Sequence, residues 1–197
     1  MIGLKKLPVE IVVLPFSDRQ TPEKMVGKKI CPILQKEDGA YMLESLDIAF
    51  YLDSLSGPLC ITEKKVDKKF DNVKSKLFKS FVALTSPRFI ALKMNEFKTE
   101  VDINLYRERE ESFLEDSFET IKNKEHALIE QAEAVLPEFE SFLVSDSRKP
   151  TLTATELCMF SYLRNLSCVP GLTLPVKLNE FMVNLSQRAT IKLLRQI

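Results

Sequence analysis

At 197 residues and 45% apolar content the chain is long enough for one large domain or two small ones around a sizeable core. Its 28 Lys and Arg residues balance 28 Asp and Glu, so no overall field recruits nucleic acid or an acidic membrane surface. No apolar run approaches a membrane span and residues 1–8 lack the apolar stretch of a signal peptide, which leaves a cytoplasmic protein as the expectation.

Ile2, Leu4 and Leu7 have a short helical spacing that Pro8 stops, the pattern of the last turns of a helix. Residues 9–14, rich in Val and Ile, read as a buried strand. Thr21-Pro22-Glu23 opens a short helix, with a polar cap, a proline in the first turn and an acid at the positive end of the helix dipole; Gly27 closes it. Residues 30–35 and 41–43 read as two strands paired antiparallel through the Glu37-Asp38-Gly39 turn. Pro32, between Ile30, Ile33 and Leu34, cannot donate to a central ladder and marks the open mouth of its strand; an X-Pro bond there also admits the cis form. Glu44-Ser45 then precedes the repeat Ile48, Leu52, Leu55, a helix over 45–56 that Gly57-Pro58 ends.

From Val66 onward the pattern changes. Val66, Phe70, Val73, Leu77, Phe81 and Leu84 form one face of a long helix that Pro87 should bend or end. Further helices are expected over 106–122 and 125–144, the second kinked or broken at Pro137. Leu152-Thr153-Ala154-Thr155-Glu156-Leu157 carries a capping box with its hydrophobic staple, and the last helices fall over 175–186 and 190–196. With no strand-like alternation after 41–43, the second part reads as all-helical. The division is residues 1–57 and 64–197.

The side chains that carry chemistry are few. The only histidine, His126, has no second imidazole to share a metal, and reads as an ordinary helix or surface residue. Cys31, Cys60, Cys158 and Cys168 have no Cys-x-x-Cys spacing and read as reduced, buried thiols. The dense lysines between 64 and 79 read as the solvated face of a helix. Cys31-Pro32 and Glu44-Ser45 together form an anion-binding corner, because the free N–H groups of the helix start point back to the mouth of the strand.

That corner resembles the glutathione site of the thioredoxin-fold superfamily. Gly3-Leu4-Lys5-Lys6-Leu7-Pro8, Met25-Val26-Gly27, Ser86-Pro87-Arg88-Phe89 and Leu163-Arg164-Asn165-Leu166 extend the likeness to the bacterial glutaredoxin 2 family, to the end of the chain. The resemblance implies an α/β thioredoxin-like N-terminal domain followed by an all-α, glutathione-transferase-like C-terminal domain. It implies a monomer that binds glutathione, with protein disulfides as further partners and neither nucleic acid nor membrane. The ligand would lie extended against the backbone of Cys31 beside Pro32, its γ-glutamyl carboxylate at the Ser45 helix start and its ammonium facing Glu44. The family's first strand and its Cys-Pro-x-Cys motif precede the segment that Gly3 to Pro8 matches, so the sheet is expected to lack its middle strand and the redox pair to lie outside this sequence. Two functions follow: a glutathione-dependent thiol–disulfide oxidoreductase of the glutaredoxin 2 type, or a non-catalytic glutathione-binding or scaffold protein. A glutathione transferase proper is a weaker third, since its catalytic residue would also lie in the segment absent here.

Overall fold

The computed structural model describes residues 1–144 and 151–194. Helix α1 (Ile2–Lys5) is followed by a long extended stretch, then α2 (Gln20–Val26), the hairpin β1 (Leu34–Gln35) and β2 (Tyr41–Met42), and α3 (Ser45–Ser54). Next come β3 (Ile61–Glu63), α4 (Lys68–Ala91), α5 (Glu100–Leu114), α6 (Phe118–Asn123) and α7 (Glu125–Phe139), which tightens into a 3-10 turn over Glu140–Phe142. β4 (Leu152–Thr153), α8 (Ala154–Leu166) and α9 (Val176–Ala189) complete the chain.

The core lies in the helical part. Phe70, Leu77 and Leu84 of α4 pack with Leu136 and Phe139 of α7, Met159 and Leu163 of α8, and Leu178 and Met182 of α9. The apolar repeat read from α4 is therefore its buried face, with Phe70 edge-on to Phe139 and to Phe142 at 5.4 Å each. At the edges of that face, Lys74 pairs with Asp71 and Lys76 with Glu138 of α7 in partly exposed ion pairs.

Several expectations are corrected. Residues 9–14 form no strand: a strand exists only as a pair, and among the described residues this stretch has no ladder partner. Ile11 and Val12 are consequently 68% and 69% exposed. The strands expected over 30–35 and 41–43 shorten to β1 and β2, paired antiparallel as expected. Helix α2 begins before Thr21, whose N–H is accepted by Asp18 at 3.0 Å, whereas Gly27 at φ 77° ends it as expected. The second part is helical as expected apart from the two-residue β4, which pairs in parallel with β3 of the connecting segment, the Leu152 N–H reaching the Cys60 carbonyl at 2.7 Å.

Pro87 stands one turn before the end of α4 and Pro137 inside the final turn of α7, and both helices continue past their prolines. A proline withholds one N–H from the residue four earlier and leaves the following turn free to close. The helix expected over 106–122 is two: α5 starts earlier, at a Thr99–Asp102 capping box, and breaks from α6 where Glu115 takes a left-handed φ of 56°. Thr190, at φ 55°, ends α9, and residues 191–193 are not helical; residues 195 and 196 of the helix expected there lie outside the described residues.

The capping box at α8 is formed as read. Glu156 N–H donates to the Thr153 hydroxyl at 3.1 Å and Thr153 N–H to the Glu156 carboxylate at 2.8 Å, while the second carboxylate oxygen accepts from Val144 N–H at 3.2 Å. Thr153→Ala is expected to cost about 0.5–2 kcal/mol, read as a lower urea midpoint at unchanged slope.

Three contacts fix the N-terminal elements, two of them directly on the helical part and one through β3, which pairs with β4. Gly3 lies so close to the Ala189 carbonyl at the end of α9 that any Cβ would collide with it, so only glycine lets α1 dock there. Asp53 of α3, 1% exposed, accepts Cys60 N–H at 2.9 Å and Ile61 N–H at 2.8 Å and pairs with the Lys5 ammonium at 3.3 Å. Third, the Phe16 ring stands edge-on to Tyr106 of α5 at 5.2 Å, with the Arg109 guanidinium over its face at 4.8 Å. Beside that contact, Ser17 N–H donates to the buried Asp102 at 2.8 Å.

Candidate functional site

The hairpin sets the geometry. Leu34 faces Met42 and Gln35 faces Tyr41; Cys31 and Pro32 come just before β1 and Glu44 and Ser45 just after β2, so both pairs leave the hairpin at its open end. The turn that fixes this register is closed by Lys36 N–H to the Ala40 carbonyl at 2.9 Å and by Ala40 N–H to the Asp38 carboxylate at 2.9 Å. The Cys31–Pro32 peptide bond is cis.

Glu44 is the N-cap of α3, extended at φ −77° and ψ 123°, and its side chain makes no capping hydrogen bond. The first intrahelical bond runs from Ile48 N–H to the Glu44 carbonyl at 2.8 Å. Ser45, Leu46 and Asp47 therefore present N–H groups with no partner inside the helix. Cys31, Pro32, Glu44 and Ser45 are all exposed, and the Cys31 backbone and Ser45 hydroxyl have no protein partner among the described residues. The start of α3 thus offers free N–H donors for a carboxylate and, at Glu44, an acid for an ammonium, with the exposed Cys31-Pro32 segment leaving the same end of the hairpin.

The cysteines differ from the buried, inert set expected. Cys31 is exposed, because its strand begins only at Leu34; Cys60, Cys158 and Cys168 are half-buried, and all four are free thiols. Burial pushes the Cys168 thiol up to about 11 and raises Cys158; burial and the neighbouring Asp53 carboxylate raise Cys60. None of these three is poised as a thiolate. His126 is an exposed residue of α7, 3.5 Å from Glu130.

Two features around the corner escaped the sequence reading. Lys29, two residues before Cys31, folds back to donate to the Phe16 carbonyl at 2.7 Å with its ammonium 4.8 Å from the Phe16 ring centre, tying the approach to the corner to the α5 contact. Asp102 completes that contact from a Thr-x-x-Asp box, a pattern close enough to Thr-x-x-Glu to have signalled the start of α5.

Residues 69–197 match the family described as glutaredoxin 2, C terminal domain, and residues 1–59 match the glutathione S-transferase N-terminal domain. The chain belongs to the glutaredoxin 2 family. Glutaredoxin 2 of Escherichia coli K12 is 30% identical over 98% of this chain and 90% of its own length, and the proteins of strains CFT073 and O157:H7 match equally. The crystal structure of glutaredoxin 2 from Salmonella typhimurium in complex with glutathione superimposes with a TM-score of 0.86 at 31% identity, covering 99% of this chain and 89% of that one. The glutaredoxin 2 fold is thus present as expected, a thioredoxin-like, transferase-like N-terminal part and a helical C-terminal part.

Proposed function

We propose that this glutaredoxin 2 family chain binds glutathione at the corner formed by Cys31, Pro32, Glu44 and Ser45, as part of a glutathione-dependent thiol–disulfide oxidoreductase. The likeness to the glutathione-bound Salmonella protein carries the reading, and the exposure of Cys31 and Pro32 before β1 and of Glu44 and Ser45 at the start of α3 supports it. Residues 1–57 form the ligand-binding thioredoxin-like unit in this reading and 64–197 the helical unit that backs it. The protein acts as a monomer in the cytoplasm, with protein disulfides as its partners.

Thiol exchange needs a thiolate, usually held at a helix N-terminus. These 197 residues contain no Cys-Pro-x-Cys motif, and three of the four thiols are raised by burial. The same observations favour the alternative, a non-catalytic glutathione-binding or scaffold protein. Calorimetry with reduced glutathione tests the site: the parent is expected to bind, and Ser45→Asp, which sets a carboxylate against the ligand's own, to weaken binding tenfold or more, about 1.4 kcal/mol. Equal affinity in the variant would remove Ser45 from the site, and no binding by the folded parent would leave only the scaffold reading. A disulfide-reduction assay separates the two functions. The 197 residues alone should be inactive, and a version extended upstream by a Cys-Pro-x-Cys strand and helix active; an inactive extended protein that still binds glutathione would decide for the binding protein.

A further inference from the structure

A second concavity lies entirely within the helical part, remote in sequence from Cys31 and Ser45. It is a cleft of about 510 Å³ between the C-terminal turns of α4, the middle of α5, helix α6 and the first turn of α7, within the size range of small-molecule sites. Its wall is apolar: Leu84 and Ile121 are buried, and Pro87 and Phe118 are half-buried with faces left to the opening. Pro87 helps keep the wall open, since it has no N–H to close the helical bond to Ala83 and presents a flat ring instead.

The charges at the rim are unevenly used. Arg88 is already neutralised, 2.8 Å from Glu125 and donating to the Leu84 carbonyl. Arg107 of α5 and Lys122 of α6 also line the cleft, are exposed, and have no carboxylate partner among the described residues. Against them stands only Glu119, so the mouth carries one excess positive charge over an apolar floor.

We propose that this cleft binds a small amphipathic organic anion, its aromatic body against Pro87 and Phe118 and its acid group held by Arg107 and Lys122. A purely apolar occupant would leave both cations idle at the mouth, and an inorganic anion would leave the apolar wall in water; only a ligand with both parts uses the whole surface. Binding here does not depend on the corner at α3, so the two sites fail or hold separately.

The probe is 1-anilinonaphthalene-8-sulfonate, added to the full 197-residue protein, whose lack of tryptophan leaves the emission free of indole transfer. One saturable site is expected, and it should be unaffected by saturating glutathione. Arg107→Glu with Lys122→Glu should raise the dissociation constant at least tenfold. Ala91→Phe, at an exposed position on the rim, should do the same by filling the mouth. Circular dichroism and thermal midpoints of both variants should match the parent. N-phenyl-1-naphthylamine, the same rings without the sulfonate, should bind at least fivefold more weakly. No saturable binding, affinities in both folded variants within twofold of the parent, or equal binding of the neutral probe would overturn the proposal.

Discussion

Asp53→Ala is expected to destabilise the protein by about 3–5 kcal/mol, a large share of the total for a domain of this size. The carboxylate is 1% exposed and does three things at once: it accepts the Cys60 N–H through both oxygens at 2.9 and 3.1 Å, accepts the Ile61 N–H at 2.8 Å, and pairs with Lys5. Burial alone would push its carboxyl up, but the hydrogen bonds from Cys60, Ile61 and Lys5 outweigh it and hold the group below the ordinary carboxylate range. Alanine would leave two backbone donors without an acceptor and a Lys5 side chain, only 4% exposed, without its counter-charge. Lys5 keeps one bond, to the Pro58 carbonyl at 2.8 Å. Lys5→Met should therefore cost distinctly less than Asp53→Ala, because Asp53 retains its backbone donors. Urea unfolding of the two variants reads this order; an Asp53→Ala loss below 1 kcal/mol, or equal losses, would refute it.

The contrast between what was legible and what was not follows the range of the interaction. The α8 cap, the buried face of α4 and the β1–β2 hairpin are local: Thr153 and Glu156 lie three residues apart, Phe70, Val73 and Leu77 share one helix face, and Asp38 and Gly39 sit within the turn they make. Composition misled at 9–14, where Val and Ile suit a strand, because pairing depends on a neighbour that the stretch itself cannot reveal. The β3–β4 pair joins residues about ninety positions apart through ladders too short to leave any alternation. Asp53 stood in an amphipathic repeat, Ile48, Leu52, Leu55, as an ordinary polar position, and nothing local marks it as the buried partner of Lys5. At the candidate corner, the types and spacing of Cys31, Pro32, Glu44 and Ser45 were legible, and the structure adds their exposure. The tie from Lys29 through Phe16 to α5 was not, since it joins three segments of the chain.

That tie is the setting of the second large effect. Asp102→Ala is expected to cost about 3 kcal/mol, since Asp102 is fully buried and its loss strands the Ser17 N–H, 2.8 Å away, and the Thr99 N–H, 3.0 Å away, together with the Thr99 hydroxyl at 2.7 Å. The effect is also pH-dependent in a defined direction. Hydrogen bonds from Ser17 and Thr99 hold the Asp102 carboxyl far below the usual range, so its stabilising contribution is complete above the unfolded-state value of about 3.9 and is lost as pH falls toward the folded-state value. The gap between parent and Asp102→Ala should accordingly stay constant from pH 7 to about pH 5 and close as the solution is acidified below about pH 4. Because Ser17 follows Phe16 directly, the same substitution should release the 15–19 loop from α5, seen as faster amide exchange at Ser17 and Asp18 while α8 and α9 keep their protection. A gap that widens in acid, or exchange that rises uniformly along the chain, would show that Asp102 supports the fold as a whole and does not clamp this loop.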